Sequence, residues 1–394
     1  MNEVQITDIE WHGKRALCRV DLNVPYQNGK ITDDTRIRGA LGTIEYLIER
    51  GAKVILLTHL GYPKGKVVSE LRVDPIASRL SELLQVPVRK CDETVGETAL
   101  REIEGLQPGD VLLLENVRFL AGEESNSQEL ARQYAELGDV FVLDAFATIH
   151  RRHASIIGIS THLPAVSGLL MQRELRELRR VTESPESPFT AIMGGAKVKD
   201  KIEVIERLLE TTDQLLIGGA IANTFLAAQG LEVGCSLYDE GKIERAAVIL
   251  QLAQQKQRTL LLPVDVLVTN TDDETELKVV AVTDVQTHHA IVDIGPKTRR
   301  SFADTIQQSR LVVWNGAMGI FEHPATAGGT LSLIQALVHS PAYTVIGGGD
   351  TLSSVKLAGC MEQLDYLSTG GGAMLKFLEG SELPGLSGLR RRTI

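Results

Sequence analysis

Short apolar runs rich in β-branched residues alternate along the chain with stretches whose apolar positions recur every three or four residues. The runs include 16–20 (ALCRV), 54–58 (VILLT), 111–115 (VLLLE), 140–144 (VFVLD), 190–193 (TAIM), 214–219 (QLLIGG), 260–265 (LLLPVD), 311–316 (LVVWNG) and 343–349 (YTVIGGG). Continuous apolar runs predict strands buried on both faces, as in parallel sheets. Between them, Ile37, Leu41, Ile44, Leu47 and Ile48 fall on one helical face ahead of Gly51. A second helix is predicted over 74–84, with Asp74 as N-cap and Pro75 at the first helical position. Ile202, Ile205, Leu208 and Leu209 mark a third. Strand and helix alternating throughout give an α/β class with mainly parallel sheets and right-handed crossovers.

A chain of 394 residues exceeds one ordinary core and fits two domains. The stretch 171–188 (MQRELRELRRVTESPESP) reads as a charged helix running into a Ser/Pro break, the pattern of a bridge between domains. The boundary is therefore set at 168/169, giving domains over 1–168 and 169–380. The tail 381–394 has no period of its own. With 41 basic and 51 acidic side chains the net charge is −10, which argues against a nucleic-acid or membrane-surface binder. No apolar run is long enough to cross a bilayer, and the N-terminus shows no hydrophobic signal core. Four dispersed cysteines without C-x-x-C point to a reducing cytoplasm.

Ligands of open α/β sheets bind at the carboxyl ends of strands. In the second half, five glycine turns follow predicted strands: MGGAKVKDK (193–201), IGGAIANTF (217–225), WNGAMGIFE (314–322), IGGGD (346–350) and STGGGAMLKF (368–377). Glycine lets backbone N–H groups approach a phosphate, and a helix N-terminus adds its dipole. Any one of these could be turn chemistry alone; all five together predict a nucleotide site. Neither the P-loop nor the dinucleotide fingerprint is present. Asp350 fits a Mg²⁺ ligand, since Mg²⁺ keeps most of its waters, and also an N-cap. The Thr351 hydroxyl and N–H fit a phosphate oxygen. Lys197 and Lys201 are four apart, on one face if a helix begins there, either clamping phosphates or simply solvated.

The first half carries cations at strand ends instead. They are Arg36, Arg38, His59, Lys64, Arg118, His150, Arg151, Arg152 and His153, with Asp21 and Asn23 after the first strand. Several follow a hydrophobic strand directly, so they can converge on one rim. Arginine's planar fork suits phosphate and carboxylate, and the rim reads as a pocket for a small, multiply charged anion. The remaining histidines read as surface or core residues.

With these motifs assembled, the chain resembles the phosphoglycerate kinase family. The resemblance runs in order through RVDLNVP, GKITDDTRI, GAKVILLTHLG, GDVLLLENVRF, DAFATIHR, MGGAKVKDKI, IANTF, LLPVDV, DIGPKT, VWNGAMGIFE, GGGDT, STGGGA and ELPG. It implies a monomer of two Rossmann-like domains joined by a hinge helix, with the tail returning to the N-terminal domain. It also implies reversible phosphoryl transfer from 1,3-bisphosphoglycerate to Mg-ADP, giving 3-phosphoglycerate and ATP. Carried over by motif, Asp21, Asn23, Arg36, His59, Arg118 and Arg151, with Tyr62 at a pocket position, would hold the glycerate ligand. Gly195, Lys197, Lys201, Gly219, Asn315, Glu322, Gly348, Gly349, Asp350 and Thr351 would hold the nucleotide, Glu322 at the ribose and Asp350 at Mg²⁺. Arg36 and Lys197, with the backbone N–H groups of Gly349 and Gly372, would stabilise the phosphoryl group in flight.

The chain departs from the family pattern at Tyr62, where an arginine is usual, and at Ala147, Ile149, Arg152, Cys235, Ala317 and Lys376. Two explanations follow. Arg152 supplies the charge missing at position 62, or the site is weakened and the protein is a nucleotide-binding scaffold or regulator. A nicotinamide-linked oxidoreductase would need a dinucleotide fingerprint that the chain lacks.

Overall fold

A computed structural model describes residues 4–27, 29–270 and 273–389. The chain divides into two compact units, Met1–Leu175 with Glu382–Ile394, and Arg176–Ser381. The division falls inside a helix that begins where the sequence boundary was set, so the two positions differ by less than two turns.

The first unit contains β1 (Arg15–Val20), α1 (Thr35–Glu49), β2 (Lys53–Leu57), α2 (Asp74–Leu84), β3 (Val88–Lys90), β4 (Val111–Leu113), β5 (Val140–Asp144) and β6 (Ala165–Ser167), followed by α3 (Leu169–Thr182). The strands form one parallel sheet in the order β3-β4-β2-β1-β5-β6. Every residue of β5 is buried, as an uninterrupted apolar run requires. On α1, Ile37, Ala40, Ile44 and Leu47 turn into the core at helical spacing. Each of the two isoleucines and the leucine contributes about 1.5–3 kcal/mol on burial. Asp74 is the first helical residue of α2 rather than its N-cap; Val73 takes that place, and its N–H donates to Glu115 Oε1 at 3.1 Å. The C-terminal helix Pro384–Leu389 packs on this unit, with Gly385 N–H donating to the Ile149 carbonyl at 3.0 Å. The last five tail residues lie outside the described residues.

The second unit contains β7 (Phe189–Met193), α4 (Ile202–Leu208), β8 (Gln214–Ile217), α5 (Gly219–Ala228), β9 (Thr259–Leu261), β10 (Asp265–Asn270), β11 (Asp273–Ala281), β12 (His289–Ile294), β13 (Leu311–Asn315), β14 (Tyr343–Gly347), α6 (Gly349–Leu357), β15 (Tyr366–Ser368) and α7 (Gly372–Glu379). Its main sheet is parallel, in the order β9-β8-β7-β13-β14-β15. The mixed α/β architecture with two parallel sheets matches the expected class. The run 260–265 is not one strand. Pro263 has no N–H for a ladder, and the chain leaves the main sheet there. Asp265 then opens a separate antiparallel sheet, β11-β10-β12. Among the described residues no helix is long and apolar enough to cross a membrane.

Candidate active site

The carboxyl ends of β1, β2, β4 and β5 carry the cations of the first unit. Arg36, in the first turn of α1, donates from Nη1 to Asp21 Oδ2 at 2.6 Å. Asn23 accepts from Gly61 N–H at 2.9 Å and ties the β1 loop to the β2 loop. Beyond β4, Asn116 bonds the carbonyls of Leu60 and Leu71 and accepts the Arg118 N–H, which fixes the turn presenting Arg118. Arg118 is 1% exposed, yet only Nη1 has a hydrogen-bond partner, the Gly61 carbonyl at 2.7 Å. Its Nε and Nη2, and Nε of Arg151, are buried without one. Burial, then Arg151, lowers the Arg118 pKa. His59 is pushed well below the usual imidazole range by burial, then by Arg19, Arg118, Arg151 and Arg36, so it is neutral at physiological pH. Arg118 Nε faces the Glu124 carboxylate at 3.6 Å, an ion pair longer than a hydrogen bond, and the buried donors that remain unbonded can be met by a phosphate or carboxylate.

Tyr62 bridges this group. Its ring lies under the Arg118 guanidinium at 4.6 Å and the Arg151 guanidinium at 5.9 Å, and its hydroxyl accepts from Arg151 Nη2 at 3.4 Å. Arg152, which one of the two explanations has supplying the charge missing at position 62, instead reaches Glu382 Oε2 at 3.8 Å and is exposed. Its neighbour is the carboxylate of the tail, so it adds no free charge to the pocket. Tyr62→Ala should therefore raise the KM for an anionic substrate held by this cluster about tenfold by releasing two repelling arginines, while Arg152→Ala leaves it within about twofold. Steady-state kinetics of the two variants check both statements.

In the second unit, Gly195, Gly219, Glu322 and Asp350 line one cavity of about 470 Å³. Its walls are apolar, with Leu237, Val292 and Met318 among them, and these the sequence reading missed. Gly219 has φ +62°, and a Cβ there would stand 2.7 Å from the Gly195 nitrogen, so only glycine fits. Three expected ligands lie beneath the turns instead of lining the cavity. Lys201 is 8% exposed and donates to the Gly194 and Asn315 carbonyls at 2.6 and 3.2 Å. Burial lowers its pKa to about 8, with Asp350 acting in the opposite sense. Asn315 is buried, with no hydrogen-bond partner at Nδ2. The Thr351 hydroxyl is buried and accepts from Gly316 N–H at 2.7 Å, so its side chain holds the β13 turn.

Lys197 is exposed on the turn before α4. That helix starts at Ile202, so Lys197 and Lys201 do not share a helical face. Gly349 and Gly372 open α6 and α7, and a Cβ at either would meet nothing within 4 Å. The first α6 bond in the ladder is Leu352 N–H to Gly348 O at 2.9 Å, leaving the N–H groups of 349–351 outside it. Among the described residues no group of three or more His, Cys, Asp or Glu side chains could hold a metal.

Comparison with known proteins is decisive. The family model of phosphoglycerate kinase matches residues 6–381. The chain belongs to the phosphoglycerate kinase family. The phosphoglycerate kinase of Coxiella burnetii is 41% identical with a TM-score of 0.90, each chain covered over 100% of its length. That of Pyrococcus horikoshii OT3 is 34% identical with a TM-score of 0.85, each covered over 98%. The chain is thus an enzyme, a kinase of this family, and the arginine cluster and glycine turns are candidate binding sites, one in each unit.

Proposed function

We propose that the arginine cluster of the first unit holds 3-phosphoglycerate or 1,3-bisphosphoglycerate and the glycine-lined cavity of the second holds ADP or ATP, and that a phosphoryl group passes directly between them. The observation that carries this reading is Arg118, buried with two guanidinium nitrogens lacking hydrogen-bond partners beside Arg151. A phosphate answers that deficit better than a neutral ligand would.

The cavity volume suits a nucleoside, and its apolar wall suits a base and sugar face. Glu322 at its edge would accept from the ribose hydroxyls. The N–H groups at the starts of α6 and α7 would meet the phosphate chain. Asp350, exposed in the first turn of α6, fits Mg²⁺ as a lone carboxylate, because Mg²⁺ takes most of its ligands from phosphates and water. When bound there, Mg²⁺ neutralises phosphate charge.

The attacking group is already an anion, a carboxylate in one direction and a phosphate oxygen in the other, so no general base is required. Arg36 and Lys197 would neutralise the equatorial oxygens of the transferred group. Domain closure would exclude water and protect the acyl phosphate from hydrolysis. The protein acts as a monomer in the cytoplasm on these small molecules. An assay with ATP, Mg²⁺ and 3-phosphoglycerate, trapping the acyl phosphate with hydroxylamine, should yield hydroxamate and ADP in equal amounts. Absence of hydroxamate with folded protein would overturn the proposal. Asp350→Asn should raise the KM for Mg-ATP about tenfold and increase the Mg²⁺ needed for half-maximal rate, as a Mg²⁺ titration at fixed ATP checks.

A further inference from the structure

Arg19 follows no expected role. It lies in β1, pointing into the unit, and is 1% exposed. Its Nε donates to Ser155 Oγ at 2.9 Å. Ser155 in turn donates from Oγ to Glu123 Oε1 at 2.6 Å and from its N–H to Glu123 Oε2 at 3.1 Å. Glu123 is fully buried and also accepts from the Tyr134 hydroxyl at 3.4 Å. A buried carboxylate and a buried guanidinium are thus joined through one serine, which fixes the arginine in place.

The other arm of Arg19 reaches the substrate pocket. Nη2 stands 3.2 Å from His59 Nδ1. A guanidinium nitrogen has only protons to offer, so Nδ1 must supply the lone pair. The alternative partner, Asp21 Oδ1, is 3.8 Å from Nδ1, beyond hydrogen-bonding range. A neutral imidazole with Nδ1 as acceptor carries its single proton on Nε2.

We infer that Arg19 is a positioning residue that locks His59 in the neutral Nε2–H form, so that His59 offers the bound ligand a hydrogen-bond donor and never a lone pair. The inference rests on the proposed binding of the glycerate ligand at His59, but only for its kinetic consequence. The charged groups facing His59 are Arg19 from β1, Asp21 from the loop after β1, Arg36 from α1, Arg118 after β4 and Arg151 after β5. The four guanidiniums oppose a second proton on the ring. The donor is therefore constant across the pH range in which an ordinary histidine changes charge. Ligand binding gains a pH-independent contact from a residue type that usually titrates there.

Long-range proton–nitrogen correlation NMR on the full-length, ligand-free protein with ¹⁵N-labelled histidine tests the lock directly. His59 is assigned by the resonance lost in His59→Gln. The expected result is an unprotonated Nδ1 and a protonated Nε2, unchanged from pH 5.5 to 8. A protonated Nδ1, or a ring that titrates in this range, overturns the inference, whether or not the enzyme phosphorylates 3-phosphoglycerate. The paired variant Arg19→Met with Glu123→Gln removes both buried charges together. It should free Nδ1, so that a protonated Nδ1 fraction appears in the same spectra, and raise the KM for 3-phosphoglycerate about tenfold at pH 7.5 with a much smaller change in kcat. A KM and an Nδ1 protonation state like those of the unaltered enzyme would also overturn it. If the paired variant fails to fold, the NMR measurement decides alone. A missing kinase reaction with an intact Nε2–H tautomer would count against the proposed function and leave the lock standing.

Discussion

Arg36→Ala is expected to lower kcat by about three to five orders of magnitude while leaving the protein folded. Arg36 is the only cation of the first-unit cluster assigned here to the group in flight. Its charge is held by Asp21 Oδ2 at 2.6 Å, and the side chain is 35% exposed. Its partner Asp21 is buried, so losing the cation should cost about 1–3 kcal/mol and lower the melting temperature by a few degrees without unfolding the protein. The effect belongs to the transition state, where charge spreads over the equatorial oxygens of the transferred group and a planar fork meets two of them at once. Arg36→Lys restores charge without the fork and should recover only part of the rate. Rapid-quench measurement of a single turnover with saturating ligands separates this from substrate binding. A fall of less than about tenfold would mean that Arg36 only binds substrate.

Gly316→Ala is expected to abolish nucleotide binding and to destabilise the second unit by about 3 kcal/mol or more. Gly316 has φ +100°, a conformation that alanine rarely adopts. Its Cβ would also collide with the Gly194 carbonyl and with Lys201 Nζ. The carbonyl is backbone and cannot swing aside. Lys201 would lose its bonds to the Gly194 and Asn315 carbonyls, which pin the turns after β7 and β13 together. Calorimetric titration with Mg-ADP should show at least about a hundredfold loss of affinity. The same variant should bind 3-phosphoglycerate normally, because the arginine cluster is built entirely from the other unit. Ordinary Mg-ADP affinity would show that these turns do not shape the nucleotide site.

Much of this organisation could be read from residue patterns, and the failures have physical causes. Uninterrupted apolar runs such as 140–144 mark doubly covered strands because both faces must be apolar. Cations placed after those runs then fall at one edge of the sheet, as Arg36, His59, Arg118 and Arg151 do. The separate antiparallel sheet was hidden because its first strand continues the apolar run through Pro263, and periodicity does not register a change of sheet. Lys201, Asn315 and Thr351 have the chemistry of phosphate ligands but lie under the turns, where Lys201 and Thr351 hold backbone groups. Spacing shows that a polar residue is near a turn, not which side of it the side chain takes. Arg152 and Tyr62 exchanged roles for a related reason. The charge at 152 is drawn to Glu382, distant in sequence, while an uncharged ring holds the two arginines. Glu123 and Ser155 gave no sign at all, since their partnership with Arg19 depends on the folded arrangement.

The central claim is that two separately held, charge-matched ligands are brought together for direct transfer. Small-angle X-ray scattering of the full-length protein tests it most directly, comparing the free enzyme, each single-ligand complex, and the complex with both 3-phosphoglycerate and a non-hydrolysable Mg-ATP analogue. A smaller radius of gyration with both ligands than with either alone is the predicted result. The same radius in all four states, with both ligands shown to be bound, would contradict the account.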